Sequence, residues 1–302
     1  MGKKLKVFSG ATGLNNVKDP ARLQFNPEQG VTELSIAYNI DIDDTGRVSR
    51  RKGFSAVVAG DYHSMFSCGN YGLCVSGTSL LVFEEDYSTT SIATVTAGAR
   101  VSYVQNGDVV YYCNGFEKGK VTDRAYSVWT ADTYVGPDTT RAVSDPPLGH
   151  LVEIFNGRVY IAAGDVIWYS NPFAYSQYDL ARNYLLLPAT ARMVQGVAGG
   201  IWVGTATGII FLRGSNPHEF TYIPVADYGV REGSAVKVDV SLLDEKYQGM
   251  GIGILFLGED GVCLGLPNGE LRNITRRNLT YAAGQYGAGI IKDNKYIATL
   301  IQ

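Results

Sequence analysis

Histidine is almost missing from this sequence. His63, His150 and His218 are the only three in 302 residues. They stand far apart and form no H-x-x-x-H or H-E-x-x-H pattern, so zinc-hydrolase chemistry of that type has no ligand set here. Cysteine is nearly as sparse. Cys68, Cys74, Cys113 and Cys263 lack the paired C-x-x-C spacing of a zinc site, and each lies in an apolar or strand-like run. They read as buried free thiols of a reducing compartment. No stretch of 18 apolar residues occurs, and the basic opening MGKKLKVFSG has no apolar core after it, so neither a membrane span nor a signal peptide is expected. The nucleophile elbow G-x-S-x-G and the phosphate loop G-x-x-x-x-G-K-[ST] are also missing. Charged residues make up only 18%, with a net charge of −3. That balance supplies no bulk positive field for nucleic acid.

What is plentiful is glycine, at 36, and tyrosine, at 20. Strongly amphipathic helical segments are nearly absent. Aromatic and β-branched residues between glycine turns predict an all-β protein. The same hairpin recurs along the chain: CGNYGLCVSG (68–77), VQNGDVVYYC (104–113), IFNGRVYIAA (154–163), VAGGIWVGTA (197–206), GEDGVCLGLP (258–267) and IKDNKYIATL (291–300). The dipeptides Asn106-Gly107, Asn156-Gly157, Gly199-Gly200 and Asp260-Gly261 suit type I′ turns, in which both central residues need positive φ. A second turn and a third strand follow most of these hairpins. The units average about 44 residues, the length of one four-stranded propeller blade. A β-propeller of about six blades is the expectation; a β-sandwich with extra hairpins is the competing architecture.

The last unit stops soon after KYIATLIQ, which leaves its outer strands unsupplied. An open edge strand is an aggregation hazard. The N-terminal segment is therefore expected to close the last blade, through KVFSG or through a hairpin formed by YNIDID and RVSRR around Asp44-Thr45-Gly46. This divides the chain into an arm with a closing hairpin (1–58) and a propeller (59–302). Pro20 and Pro27 limit the segment 18–39 to a turn or a short helix.

The stretch NIDIDDTGRVSRRKGF (39–54) admits three readings. Asp41, Asp43, Thr45 and Gly46 match the first half of a calcium loop, but Lys52 stands where the bidentate glutamate belongs. Asp and Gly are also what a tight turn demands. Arg47, Arg50, Arg51 and Lys52 make either a solvated face or a surface for an acidic partner.

GLNNVKDPARL (13–23) followed by YNIDIDDTGRVSRRKGF (38–54) resembles the opening of a class of tailed-phage virion proteins. In these, a G-x-N-N…R-L segment precedes N-x-D-I-D…G-R-x-x-R-R-x-G. A proline typically stands at the place of Lys52. Beyond residue 54 the likeness is one of style only. The resemblance implies a non-enzymatic structural protein of the head–tail connector, tail hub or nozzle. Such a protein would need no cofactor or metal. It would form a homo-oligomeric ring in the virion, assembled in the bacterial cytoplasm. Its partners would be portal, adaptor or tail-fibre proteins, and DNA would pass through the lumen without specific binding.

On that reading the interface candidates are Asn15, Asn16 and Arg22 of the first block, and Arg47, Arg50 and Arg51 of the second. Asp138 and Asp145 join them from the proline-rich loop 134–150, because loops of that length are often functional. So do Phe173, Tyr175 and Tyr178 of IWYSNPFAYSQYDL, and Arg276 and Arg277 of ITRRNLTY. The aromatics of 167–180 also suit a carbohydrate- or receptor-binding tail tip, since exposed rings stack on sugars. A propeller glycosidase or lyase would need paired carboxylates. Glu84, Glu85 and Asp86 read as a solvated turn, and Asp138, Asp145 and Glu153 show no visible partner base.

Overall fold

The structure is a computed structural model. It describes residues 10–23, 25–26, 30–43, 45–133, 143–275, 278–281 and 286–301. The chain is a β-propeller. Five four-stranded antiparallel sheets follow one another, each in simple sequence order. Blade 1 uses His63–Ser67, Gly72–Ser76, Ser79–Phe83 and Thr89–Thr94. Blade 2 uses Ser102–Asn106, Val109–Cys113, Lys118–Thr122 and Ala125–Val128. Blade 3 uses Leu151–Phe155, Arg158–Ala163, Val166–Tyr169 and Tyr184–Leu186. Blade 4 uses Ala191–Val197, Gly200–Thr205, Ile209–Arg213 and Thr221–Ala226. Blade 5 uses Val236–Asp239, Ile252–Gly258, Gly261–Gly265 and Leu271–Asn273. A two-stranded unit, Tyr286–Lys292 and Lys295–Ile301, follows.

Strand periodicity decides which neighbour each side chain meets. Successive residues of a strand point to opposite faces, and in a propeller both faces of a blade are covered. In blade 2, Tyr112 joins Leu73, Val75 and Leu80 of blade 1, whereas Tyr111 and Cys113 join Val159 and Ile161 of blade 3. In blade 3, Tyr160 and Ala162 turn the other way and pack on Ile201 and Val203 of blade 4. Trp202, between those two, packs with Ile254, Phe256 and Cys263 of blade 5. This is why the second strands read as continuous apolar runs (VVYYC, RVYIAA, GIWVGT) rather than alternating ones. Each large side chain fully buried in this way contributes roughly 1.5–3 kcal/mol.

Two turn details differ from the sequence expectation. Of the four expected dipeptides, only Asn156-Gly157 is a two-residue loop with both φ positive, 45° and 71°. In the Asn106 hairpin the loop is Gly107-Asp108 and only Gly107 is positive. In the remaining two the loops are Ala198-Gly199 and Glu259-Asp260, so register places the second glycine of each pair on a strand. Asp123-Arg124 and Asp293-Asn294 adopt the doubly positive conformation without glycine. The fifth recurrent hairpin is also displaced by one strand. It joins the second and third strands of blade 5, because Val236–Asp239 and the 3-10 turns at Val240–Leu242 and Glu245–Tyr247 precede it.

The first strands surround the axis and run in the same direction. His150 Nε2 donates to Ala191 O at 2.8 Å, at the start of the blade 3 and blade 4 strands. Near the other end of the same strands, a Cβ on Gly196 would stand 3.0 Å from that of Phe155. Arg100 and Lys237 reach across between blades. Arg100 Nη1 donates to Glu232 O and Gly287 O, both at 3.0 Å. Lys237 Nζ lies 2.9 Å from Oε1 of the buried Glu153, joining blades 5 and 3. Burial pushes the Glu153 carboxyl above its ordinary value of 4.5, and Lys237 and the Ile154 N–H pull it partly back. Glu153 thus binds its proton more tightly folded than unfolded. Its contribution to stability is full below the unfolded carboxylate range and is lost as pH rises through the raised value. Lys237 is 40% exposed and stays hydrated without its partner. Glu153→Gln is therefore expected to gain on the wild type as pH rises above the ordinary carboxylate range, in unfolding free energy measured by urea titration at several pH values. A variant that loses ground with rising pH would show that the ion pair outweighs desolvation.

Candidate assembly interface

The N-terminal arm is built from short pairings. Gly13–Leu14 runs parallel to Glu33–Leu34, and Phe25–Asn26 pairs with Gly30–Val31. A 3-10 turn at Pro20–Arg22 is capped by Asp19, whose side chain accepts from Ala21 N. Its brevity follows from Pro20. Ile40–Ile42 and Val48–Arg50 form the expected hairpin. Asp43 Oδ1 accepts from Thr45 N at 2.9 Å, Thr45 Oγ1 at 2.6 Å and Arg47 N at 3.0 Å. Those bonds, from the Thr45 hydroxyl foremost, hold the Asp43 carboxyl below its usual range. The carboxylate is occupied in making the turn. Among the described residues, no group of three His, Cys, Asp or Glu side chains converges as a metal site.

The arm docks on the end of the chain. Asn16 Nδ2 donates to Thr280 O at 2.7 Å, its Oδ1 accepts from Thr280 N at 2.8 Å, and its main-chain N–H reaches Asn278 O at 3.0 Å. Lys295 Nζ and Arg51 Nε both approach Asp41 Oδ1, at 3.7 and 3.8 Å. All three charged groups are substantially exposed, so these pairs orient more than they stabilise. Among the described residues, no ladder joins the arm to Lys295–Ile301. Asp41 meets Lys295 and Asn16 meets residues 278–280, while residues 6–9 of KVFSG lie outside the described residues.

Two interface candidates are buried within the chain, which removes them from the surface. Asn15 donates to Glu33 Oε1 at 3.0 Å and accepts from Lys18 N. Tyr178 is fully buried, with its hydroxyl on Val159 O at 3.3 Å and its ring edge-on to Trp129. Tyr175 is half-buried against Tyr111. Of that aromatic group only Phe173 projects, 80% exposed on a residue with φ 54°. A single ring does not make a platform for a sugar. Asp145 is exposed and caps Ala131 N at 2.7 Å. Arg22, Arg47 and Arg50 are exposed. Asp138, Arg276 and Arg277 lie outside the described residues.

The segment 51–60, RKGFSAVVAG, was not among the expected contacts. All ten residues are exposed and none belongs to a strand. Phe54 is 98% exposed, and Val57 and Val58 are also exposed. The exposed face of Lys295–Ile301 adds Ile297 and Ile301. The signal in the sequence was the largely apolar FSAVVA run (54–59) between Gly53 and Gly60.

No family model matches the sequence. No curated protein matches it. Among solved structures the chain is similar to the extracellular domain of a hybrid two component system of B. thetaiotaomicron, at 10% identity and TM-score 0.48, over 81% of this chain and 32% of that one. It is similar to BBS1N in complex with ARL6DN, at 10% identity and TM-score 0.48, over 87% and 86%. It is similar to Kluyveromyces lactis Hsv2, at 9% identity and TM-score 0.39, over 92% and 87%. The chain spans about a third of the length of the B. thetaiotaomicron domain. The order of strands within the sheets, rather than these likenesses, defines the propeller.

Proposed function

We propose that this chain is a non-enzymatic structural subunit of a tailed-phage virion, in the head–tail connector, tail hub or nozzle, assembled as a ring of identical copies. The observation that carries the reading is the two-part N-terminal signature, G-x-N-N…R-L and N-x-D-I-D…G-R-x-x-R-R-x-G. Its residues have structural work in this fold. Asn15 buttresses the arm on Glu33, Asn16 stitches it to residues 278–280, and Asp43 with Gly46 shapes the turn. The arm leads directly into the exposed segment 51–60, which offers Phe54, Val57 and Val58 to a neighbouring copy.

On this reading, side-chain contacts across the centre of the propeller bear on the path of DNA. Arg100 and the Glu153–Lys237 pair span the centre of the propeller. A duplex would therefore pass between subunits, through the lumen of the ring. A net charge of −3 offers few phosphate contacts and so little salt-dependent drag on moving DNA. Light scattering after size exclusion, with negative-stain images, is the test. Closed rings are the expected result. A chain that stays monomeric at every concentration reached would remove the ring reading.

A further inference from the structure

We infer that the mouth of the propeller axis is a binding site for a small phosphate-type oxyanion. Where the first strands of blades 2 to 5 begin, they enclose a cavity of about 130 Å³. Arg100, Ser102, His150, Arg192, Gln195 and Glu232 supply its polar lining. These residues come from four different blades or their approaches, so the site exists only once the sheets are assembled.

The two arginines carry the argument. Arg100 commits Nη1 to Glu232 O and Gly287 O. Arg192 commits Nη1 to Val230 O at 3.4 Å. Among the described residues, neither guanidinium lies within ion-pair distance of a carboxylate. Each guanidinium has five N–H donors, so most of them remain uncommitted. Two partly buried cations with no carboxylate paired to them are costly, and an oxyanion that takes paired N–H donors relieves the cost. The backbone is adapted to the arrangement. Gly233 has φ 80°, and a Cβ there would fall 1.6 Å from Arg100 Nη2. A side chain at this left-handed position would be strained and would push the guanidinium aside.

The remaining charges limit the ligand. His150 Nε2 is spent on Ala191 O. Glu153, next in sequence to the lining residue Val152, is paired with Lys237 at 2.9 Å. The Glu232 carboxylate is the one opposing charge in the lining, so it should weaken anion binding. The cavity volume suits a phosphate group and not a stretch of duplex backbone.

The test is phosphorus NMR titration of the full chain with inorganic phosphate, at ionic strength held constant with chloride. Saturable binding is expected. Arg192→Gln, which leaves the Arg100 ties between blades in place, should weaken it by about tenfold or more. Glu232→Gln should tighten it severalfold, which a purely structural role for either residue would not produce. A parallel titration with a short 5′-phosphorylated oligonucleotide and its 5′-hydroxyl counterpart distinguishes the free ion from a nucleic-acid end. Absence of saturable phosphate binding, or equal affinity in the wild type and Arg192→Gln, would overturn the assignment.

Discussion

Replacing Trp202 by alanine is expected to cost the protein about 3–5 kcal/mol of stability. The side chain is fully buried at the seam between blades 4 and 5. Its ring lies 4.9 Å from that of Phe211. Its Nε1 donates to Leu266 O at 3.0 Å, across the seam. Gly265 is shaped to receive it, since a Cβ there would sit 2.9 Å from the indole. Truncation therefore opens a cavity that neighbouring backbone cannot fill, and it removes the hydrogen bond across the seam, leaving Leu266 O with Gly269 N as its donor. Thermal unfolding should fall by on the order of 10 °C. Trp202→Phe should recover part of the packing but not the hydrogen bond, and should land between the two. A loss below about 1 kcal/mol for the alanine variant would mean the seam is not packed as described.

The second large effect concerns assembly. The paired change Phe54→Asp and Val57→Asp should abolish the ring while leaving the monomer's unfolding midpoint where it was. Both side chains are already exposed in the single subunit. The monomer therefore loses no buried contact, whereas a contact with a second copy would have to bury two carboxylates. Light scattering should report monomer mass for the variant at concentrations where the wild type is a ring. An intact ring would place the subunit contact elsewhere. A fall in the midpoint would show that the segment packs within its own chain.

Much of the architecture was legible because strand periodicity is a local property. Runs such as VVYYC and RVYIAA, with glycine turns beside them, announce strands buried on both faces. The turn at Asp43 was equally legible, since its hydrogen bonds reach only two to four residues along the chain. Exact turn geometry was not. Moving a loop by one residue changes which glycine carries positive φ, and that register is set by pairing along the entire strand. The aromatic segment 167–180 misled for a related reason. Tyr178 and Phe173 are five residues apart in similar company, yet one is sealed under Trp129 and the other faces solvent.

The sequence by itself determined the strand-rich class, the blade-sized repeat, the absence of a zinc-type motif and the hairpin at 40–50. These depend on residue type and on spacing of a few positions. Only the tertiary structure decided that Asn15 is a buried brace, that Asn16 joins the two ends of the chain, and that Arg100 and Arg192 meet at the axis. Arg100 contacts main chain 132 and 187 residues away. Closure of sheets around a common axis brings such residues together, and no local pattern encodes which inner strand will face which.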